Sequence, residues 1–210
     1  GPLVEWENRE LATALCEAIH REARRQRAIF LRVEPPLLDS ASAHGLLQSY
    51  GFQQVHHTNQ PRCSMVVDLP ENMDELLAAL PSSTRYNIRR SERQGVTIAI
   101  GDDSSLPAFY HLLEVTSVRS DFPIRTLEYY QQEWQAFSSL GQAQLFIARH
   151  QDQIIATQMP FCFGEHAATF HAGSLNEYRE LKAGYLMMWQ AICWARQQGC
   201  RTFDLWGLPD

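Results

Sequence analysis

The chain is 210 residues long, 45% hydrophobic and 10% aromatic, with a formal net charge of −6. That supplies a real globular core, enough for one substantial domain or two small ones. The acidic balance argues against a general DNA binder but leaves room for a local basic groove, and no apolar run reaches the roughly 18 residues of a membrane helix.

In chain order, Trp6 to Gln26 reads as an amphipathic helix, with Leu11, Leu15, Ala18 and Ile19 at helical spacing. Residues 28–33 (Ala-Ile-Phe-Leu-Arg-Val) read as a buried strand stopped by Glu34-Pro35-Pro36. A short helix from Ser42 to Tyr50 ends at Gly51, and Cys63 to Leu69 reads as a second strand. Asn72 to Leu80 is a helix closed by Pro81, and an Arg-rich helix starts at Ser82 or Ser83. Val96 to Ile100 opens a new strand and a second unit, followed by helices over 106–120 and 127–139. Strands over 143–149, 153–163 and 165–172 are joined by hairpin-like turns. A long helix over 183–198 ends at Gly199, and a last strand covers 202–206. This order predicts an α+β fold, with one long helix crossing a mostly antiparallel sheet.

The five cysteines (Cys16, Cys63, Cys162, Cys193 and Cys200) are odd in number, widely spread and form no CxxC pair. Reduced thiols of a cytoplasmic protein are therefore expected rather than disulfides or a zinc site. The eight histidines, including His56-His57, His166 and His171, show no ligand spacing, so no metal is expected. The opening residues are not expected to act as a signal peptide.

Lys182 is the sole lysine, and the other 17 basic residues are arginines. Four of these crowd into residues 85–93, where Arg85, Arg89 and Arg93 follow one helical stripe and Ile88 points elsewhere as an anchor. Such a row of guanidinium forks suits a ligand with several phosphates or carboxylates. The plainer alternative is a solvated helix face.

The segment Arg85-Tyr86-Asn87-Ile88-Arg89-Arg90-Ser91, running on to Gly95-Val96, resembles the R-x-N-I-R-K-A-x-x-x-G-V segment of the FemABX family. Glu114 to Arg125 is similar to that family's E-T-x-x-R-x-x-F-x-x-R helix end, with Tyr129-Tyr130 behind it. His171-Ala172-Gly173-Ser174 with Tyr178-Arg179 resembles its Y-x-A-S…Y-R step, and Phe203-Asp204-Leu205-Trp206-Gly207 its Y-D-F-G-G strand. Gly1-Pro2-Leu3-Val4 is similar to its R-G-P-V segment, which makes five motifs in the family's order.

The resemblance implies two acetyltransferase-like (GNAT-type) units side by side, residues 1–95 and 96–210, the first N-terminally incomplete. It implies transfer of an aminoacyl group from aminoacyl-tRNA to the peptide of a lipid- or nucleotide-linked peptidoglycan precursor. The work would be done in the cytoplasm, in peripheral contact with the inner membrane face. No covalent protein nucleophile is needed, in keeping with the absence of any Ser/His/Asp or Cys/His arrangement. No cofactor is expected. Related acyltransferases bind coenzyme A through a Q/R-x-x-G-x-G/A loop, whereas residues 179–185 here offer Gly184 alone and place Glu180 against a phosphate. The family's chain begins upstream of a segment like Gly1-Pro2 and continues into a lysine-bearing F-K-x-G-F segment. A central portion with an incomplete active site is therefore expected.

Arg119 is the first candidate for the precursor's phosphates or a peptide carboxylate, and the alternative is a cation at a helix C-terminus. Arg125, Tyr129, Tyr130 and Tyr178 would line the same cleft, with one of the adjacent tyrosines in the core. Arg85, Arg89 and Arg93 would contact tRNA or precursor phosphates. Lys182 and Asp204 are the catalytic candidates, against the alternatives of a solvated lysine and of a structural hydrogen bond or ion pair. Two other readings stay open: an N-acyltransferase acting on a sugar, peptide or exopolysaccharide precursor, and a catalytically silent ligand-binding module.

Overall fold

Asn8 starts the first helix by accepting a hydrogen bond from Leu11 N, one of the donors a helix start leaves free. In the computed structural model, which describes residues 4–55, 61 and 63–207, the chain forms two compact units, Gly1–Arg62 and Cys63–Asp210. Gly1-Pro2 and His56-His57 lie outside the described residues.

The first unit contains α1 (Arg9–Arg25) and α2 (Ala41–Ser49), the latter capped by the Ser40 side chain. Trp6, Ala12 and Cys16 are its buried centre, and the Tyr50 hydroxyl donates to Trp6 O at 2.9 Å. The strand expected over residues 28–33 is not formed, and Ile29 and Phe30 stand 94% and 70% exposed. An apolar run becomes a strand when a neighbour satisfies its backbone groups, and no strand occurs among the described residues of this unit.

The second unit is built on six strands: β1 (Val66–Asp68), β2 (Val96–Gly101), β3 (Leu145–His150), β4 (Gln153–Phe163), β5 (His166–Ser174) and β6 (Thr202–Asp204). Their order in the sheet is β1-β6-β5-β4-β3-β2, and every pairing is antiparallel except β5 with β6. Five α-helices occur among the unit's described residues: α3 (Met73–Ala79), α4 (Ser82–Arg93), α5 (Leu106–Ser120), α6 (Leu127–Ser138) and α7 (Ala183–Gln197). Period-two alternation sends Phe146 and Ala148 to the core shared with α4 and α7, and Leu145 and Ile147 to the core shared with α5 and α6. Both faces are thus covered, which explains why β3 and most of β4 are buried without alternation, polar Thr157 and Gln158 included.

The α+β order predicted from the sequence is the one observed, but the boundary expected near Gly95 falls inside the second unit. Its cause is long-range pairing. Val66 of β1 sits opposite Asp204 of β6, so residues on both sides of Gly95 share one sheet.

Two irregularities interrupt the regular ladder around β5. β5 and β6 pair only from His166↔Thr202 to Ala168↔Asp204; β5 then runs on to Ser174 while β6 stops, so the two parallel strands part. Against β4 the register shifts between Met159 and Pro160, leaving Phe170 as the extra residue of a bulge. Pro160 has no N–H for a regular ladder, and a bulge is where a buried strand tolerates it.

Candidate active site

The opening where β5 leaves β6 continues into a cavity of about 730 Å³. Leu80 and Ile88 come from α3–α4, Ile155 from β4, Ala172 and Ser174 from the stretch of β5 that has left β6 and pairs with β4 alone, and Met188 from α7. These walls are mostly apolar, while Arg179 and Lys182 bring positive charge. Lys182 takes the left-handed conformation (φ 57°) as the residue before α7 and supplies no side-chain cap, so the helix presents free N–H groups there. A Cβ added to Gly184 would meet nothing within 4 Å, so a ligand can approach this backbone closely. A cavity with apolar walls and a few convergent cations beside free helix N–H groups suits an acyl group whose carrier bears phosphates.

Arg119, on the last turn of α5, donates from Nη1 to Ser174 O at 2.7 Å and from Nη2 to Ser174 Oγ at 3.4 Å. Ser174 N in turn donates to Thr116 Oγ1 at 2.9 Å. Arg119 therefore fixes the end of the strand that lines the cavity, while its side chain stays exposed. Tyr178 also lines the cavity, and its hydroxyl donates to Gln153 Oε1 at 2.7 Å.

Arg125 and Tyr129 are exposed neighbours, the guanidinium lying 5.9 Å from the ring centroid. Tyr130 is the buried member of the tyrosine pair, 3% exposed; its hydroxyl accepts from Arg125 N, and burial pushes its pKa up. It is a core residue and does not line the cavity.

The arginine row divides. Arg85 donates to Ala78 O at 2.7 Å and to Leu80 O, closing the C-terminal end of α3, so its guanidinium is committed to structure. Arg89 and Arg93 remain on the outer face of α4, Arg93 lying 5.9 Å from the Tyr86 ring centroid. Asp204 has both oxygens engaged, Oδ1 by Trp206 N at 2.7 Å and Oδ2 by Ser64 Oγ at 3.1 Å. These bonds tie the carboxylate to the segment after β6 and to Ser64. Lys182 Nζ lies 4.0 Å from Glu180 Oε2 and stays on the cavity wall. No cluster of three metal-binding side chains occurs among the described residues, and none of their helices is long and apolar enough to cross a membrane.

One pair carries no signal in the sequence. His171 of β5 and Glu133 of α6 meet at 2.9 Å. Helical spacing puts Tyr130 and Glu133 on adjoining parts of one face, but nothing local to either segment announces the partner strand.

The sequence model of the acetyltransferase (GNAT) domain family matches residues 82–209. UDP-N-acetylmuramoylpentapeptide-lysine N(6)-alanyltransferase of Weissella viridescens is 28% identical over 99% of this chain. Lipid II:glycine glycyltransferase of Staphylococcus aureus is 25% identical over 71% of it. The crystal structure of FemX superposes with a TM-score of 0.84 at 19% identity, covering 100% of this chain and 72% of that one. The chain belongs to the acetyltransferase (GNAT) domain family, in its FemABX branch. It spans 65% of the length of the alanyltransferase and 38% of that of the glycyltransferase. The GNAT match begins at Ser82, the first residue of α4, so the Arg-rich helix and the parted strands lie within one matched domain.

Proposed function

We propose that this chain is part of an aminoacyltransferase that extends the peptide of a peptidoglycan precursor, with aminoacyl-tRNA as donor. The observation that carries this reading is the cavity at the parting of β5 and β6, with Lys182, Arg179 and the free start of α7 on its wall. The relatives named as alanyl- and glycyltransferases supply the acceptor class.

In this reaction an amine of the precursor attacks the ester carbonyl of the donor, forming a C–N bond and breaking the C–O bond. The leaving group is the ribose hydroxyl. The protein has to align the two, remove a proton from the ammonium and stabilise the oxyanion, with no covalent intermediate and no cofactor. In this assignment Lys182 and the N–H groups at the start of α7 hold donor phosphate or oxyanion charge, with Tyr178 on the same cavity wall. Arg119 and Arg125 hold the acceptor's phosphate or carboxylate beside Tyr129, and Arg89 and Arg93 attract the tRNA backbone. A lipid-linked acceptor would bring the protein to the inner face of the membrane.

A second reading, acyl transfer from a coenzyme A thioester, is favoured by the same free helix start and the open space at Gly184, and opposed by Glu180 beside them. The test is to incubate the full-length protein with a mixture of charged tRNAs and a nucleotide-linked muropeptide and to weigh the product. A gain of one amino-acid residue that disappears when the tRNA is first deacylated supports the proposal; an unchanged muropeptide contradicts it.

A further inference from the structure

The His171–Glu133 pair has no part in the cavity or in the roles assigned above. His171 stands on β5 three residues past its last partner on β6, where the strands have parted. Its Nε2 faces Glu133 Oε2 at 2.9 Å, and each side chain is 19% exposed. The two facing atoms are themselves buried, and neither is aligned for a hydrogen bond with any described residue. The pair therefore caps no helix and ties no loop.

Aromatic rings surround it. Tyr130, one turn before Glu133, sets its ring 5.0 Å from the imidazole, with Tyr110 of α5 packed behind it. Phe161 of β4 and Phe170 of β5 lie at 6.0 and 6.2 Å. Phe170 meets Trp206 at 4.4 Å, a contact that spans from β5 to the segment after β6. It stands there as the extra residue of the β4–β5 bulge, a device that re-aims a side chain. The titratable groups facing His171 are thus Glu133 and Tyr130, with Tyr110 behind, while β4 and the segment after β6 contribute rings.

Ring faces attract an ammonium, and an imidazole held against a carboxylate can act as a general base. We propose that His171, oriented by Glu133, deprotonates the acceptor amine. The amine approaches on the α5–α6 face of the sheet while the acyl donor occupies the cavity on the other face, and the gap between β5 and β6 joins the two. The inference rests on the aminoacyl-transfer reading. His171 takes one proton from the ammonium and passes it to solvent, and the neutral amine then attacks the ester carbonyl. As the C–O bond breaks, the second proton passes from nitrogen to the departing ribose oxygen through solvent, and one N–H remains on the new amide. Of the other candidates, Lys182 lies beside Glu180 on the cavity wall, and Asp204 accepts a hydrogen bond on each oxygen.

The experiment compares two nucleophiles in the full-length protein: the natural ammonium acceptor, and hydroxylamine, which is largely unprotonated near neutral pH. His171→Gln should lower kcat for the ammonium acceptor about 100-fold, with KM within about twofold, and abolish the acid limb of its pH profile. Transfer to hydroxylamine should stay within about twofold of wild type, because that nucleophile needs no prior deprotonation. Glu133→Gln should lower kcat about tenfold and Glu133→Asp should recover part of it, marking Glu133 as a positioning residue. Should His171→Gln unfold, Glu133→Gln with the two nucleophiles makes the same distinction. Equal losses with both nucleophiles, or a retained acid limb, would overturn the inference. A wild-type protein that transfers to neither overturns the functional reading and this inference with it.

Discussion

Gly173 shows how tightly the candidate site is built. A Cβ there would lie 2.5 Å from the Leu112 carbonyl carbon and 2.6 Å from its oxygen, so β5 runs against the backbone of α5 with no room for a side chain. Gly173→Ala should destabilise the domain by on the order of 3 kcal/mol, read from urea unfolding, because backbone cannot move aside as a flexible side chain can. A change under about 0.5 kcal/mol would mean that the strand and helix are not in this contact. The neighbouring Ser174 is held by Arg119, which links a residue recognisable in the sequence to one that is not. Arg119 announces itself in the helix end that resembles the E-T-x-x-R-x-x-F-x-x-R segment. Its partner Ser174 lies 55 residues away, and no local pattern forecasts that bond.

At the scale of elements, α4 separates two uses of one residue type. Arg85→Ala removes the bonds to Ala78 O and Leu80 O and should cost about 1–2 kcal/mol of stability. Arg89→Ala and Arg93→Ala should each stay within about 0.5 kcal/mol. If these two exposed arginines meet the tRNA backbone, their loss should flatten the salt dependence of tRNA binding. Unchanged salt slopes would leave the row as a solvated face. Boundaries are legible where punctuation is strong: Pro107 opens α5 and Gly199 follows α7 with positive φ. The apolar run at 28–33 misleads because alternation and β-branching do not reveal whether a partner strand exists. The boundary expected at Gly95 fails for a related reason, since the β1–β6 pairing joins residues more than a hundred positions apart.

At the scale of the whole molecule, burial of two thiols makes alkaline stability a reporter of the second unit's core. Burial pushes Cys193 of α7 and Cys200 just before β6 up from 9.0 to about 11. Unfolded thiols ionise first, so the unfolded state binds fewer protons between these values and stability falls as pH rises from about 9 to about 11. Urea midpoints across that range should decline, and a Cys193→Ala/Cys200→Ala protein should decline less steeply; identical slopes would show that the thiols are not shielded. The same core positions the parted strands, with Ile155 and Met187 shared between its packing and the cavity wall. Centrally, the opening in this GNAT sheet is assigned to an aminoacyl ester. The most direct test supplies the full-length protein with a peptidoglycan precursor, isotopically labelled aminoacyl-tRNA and differently labelled acetyl-coenzyme A in one reaction. The precursor should gain the amino-acid label alone; a product carrying the acetyl label would contradict the assignment.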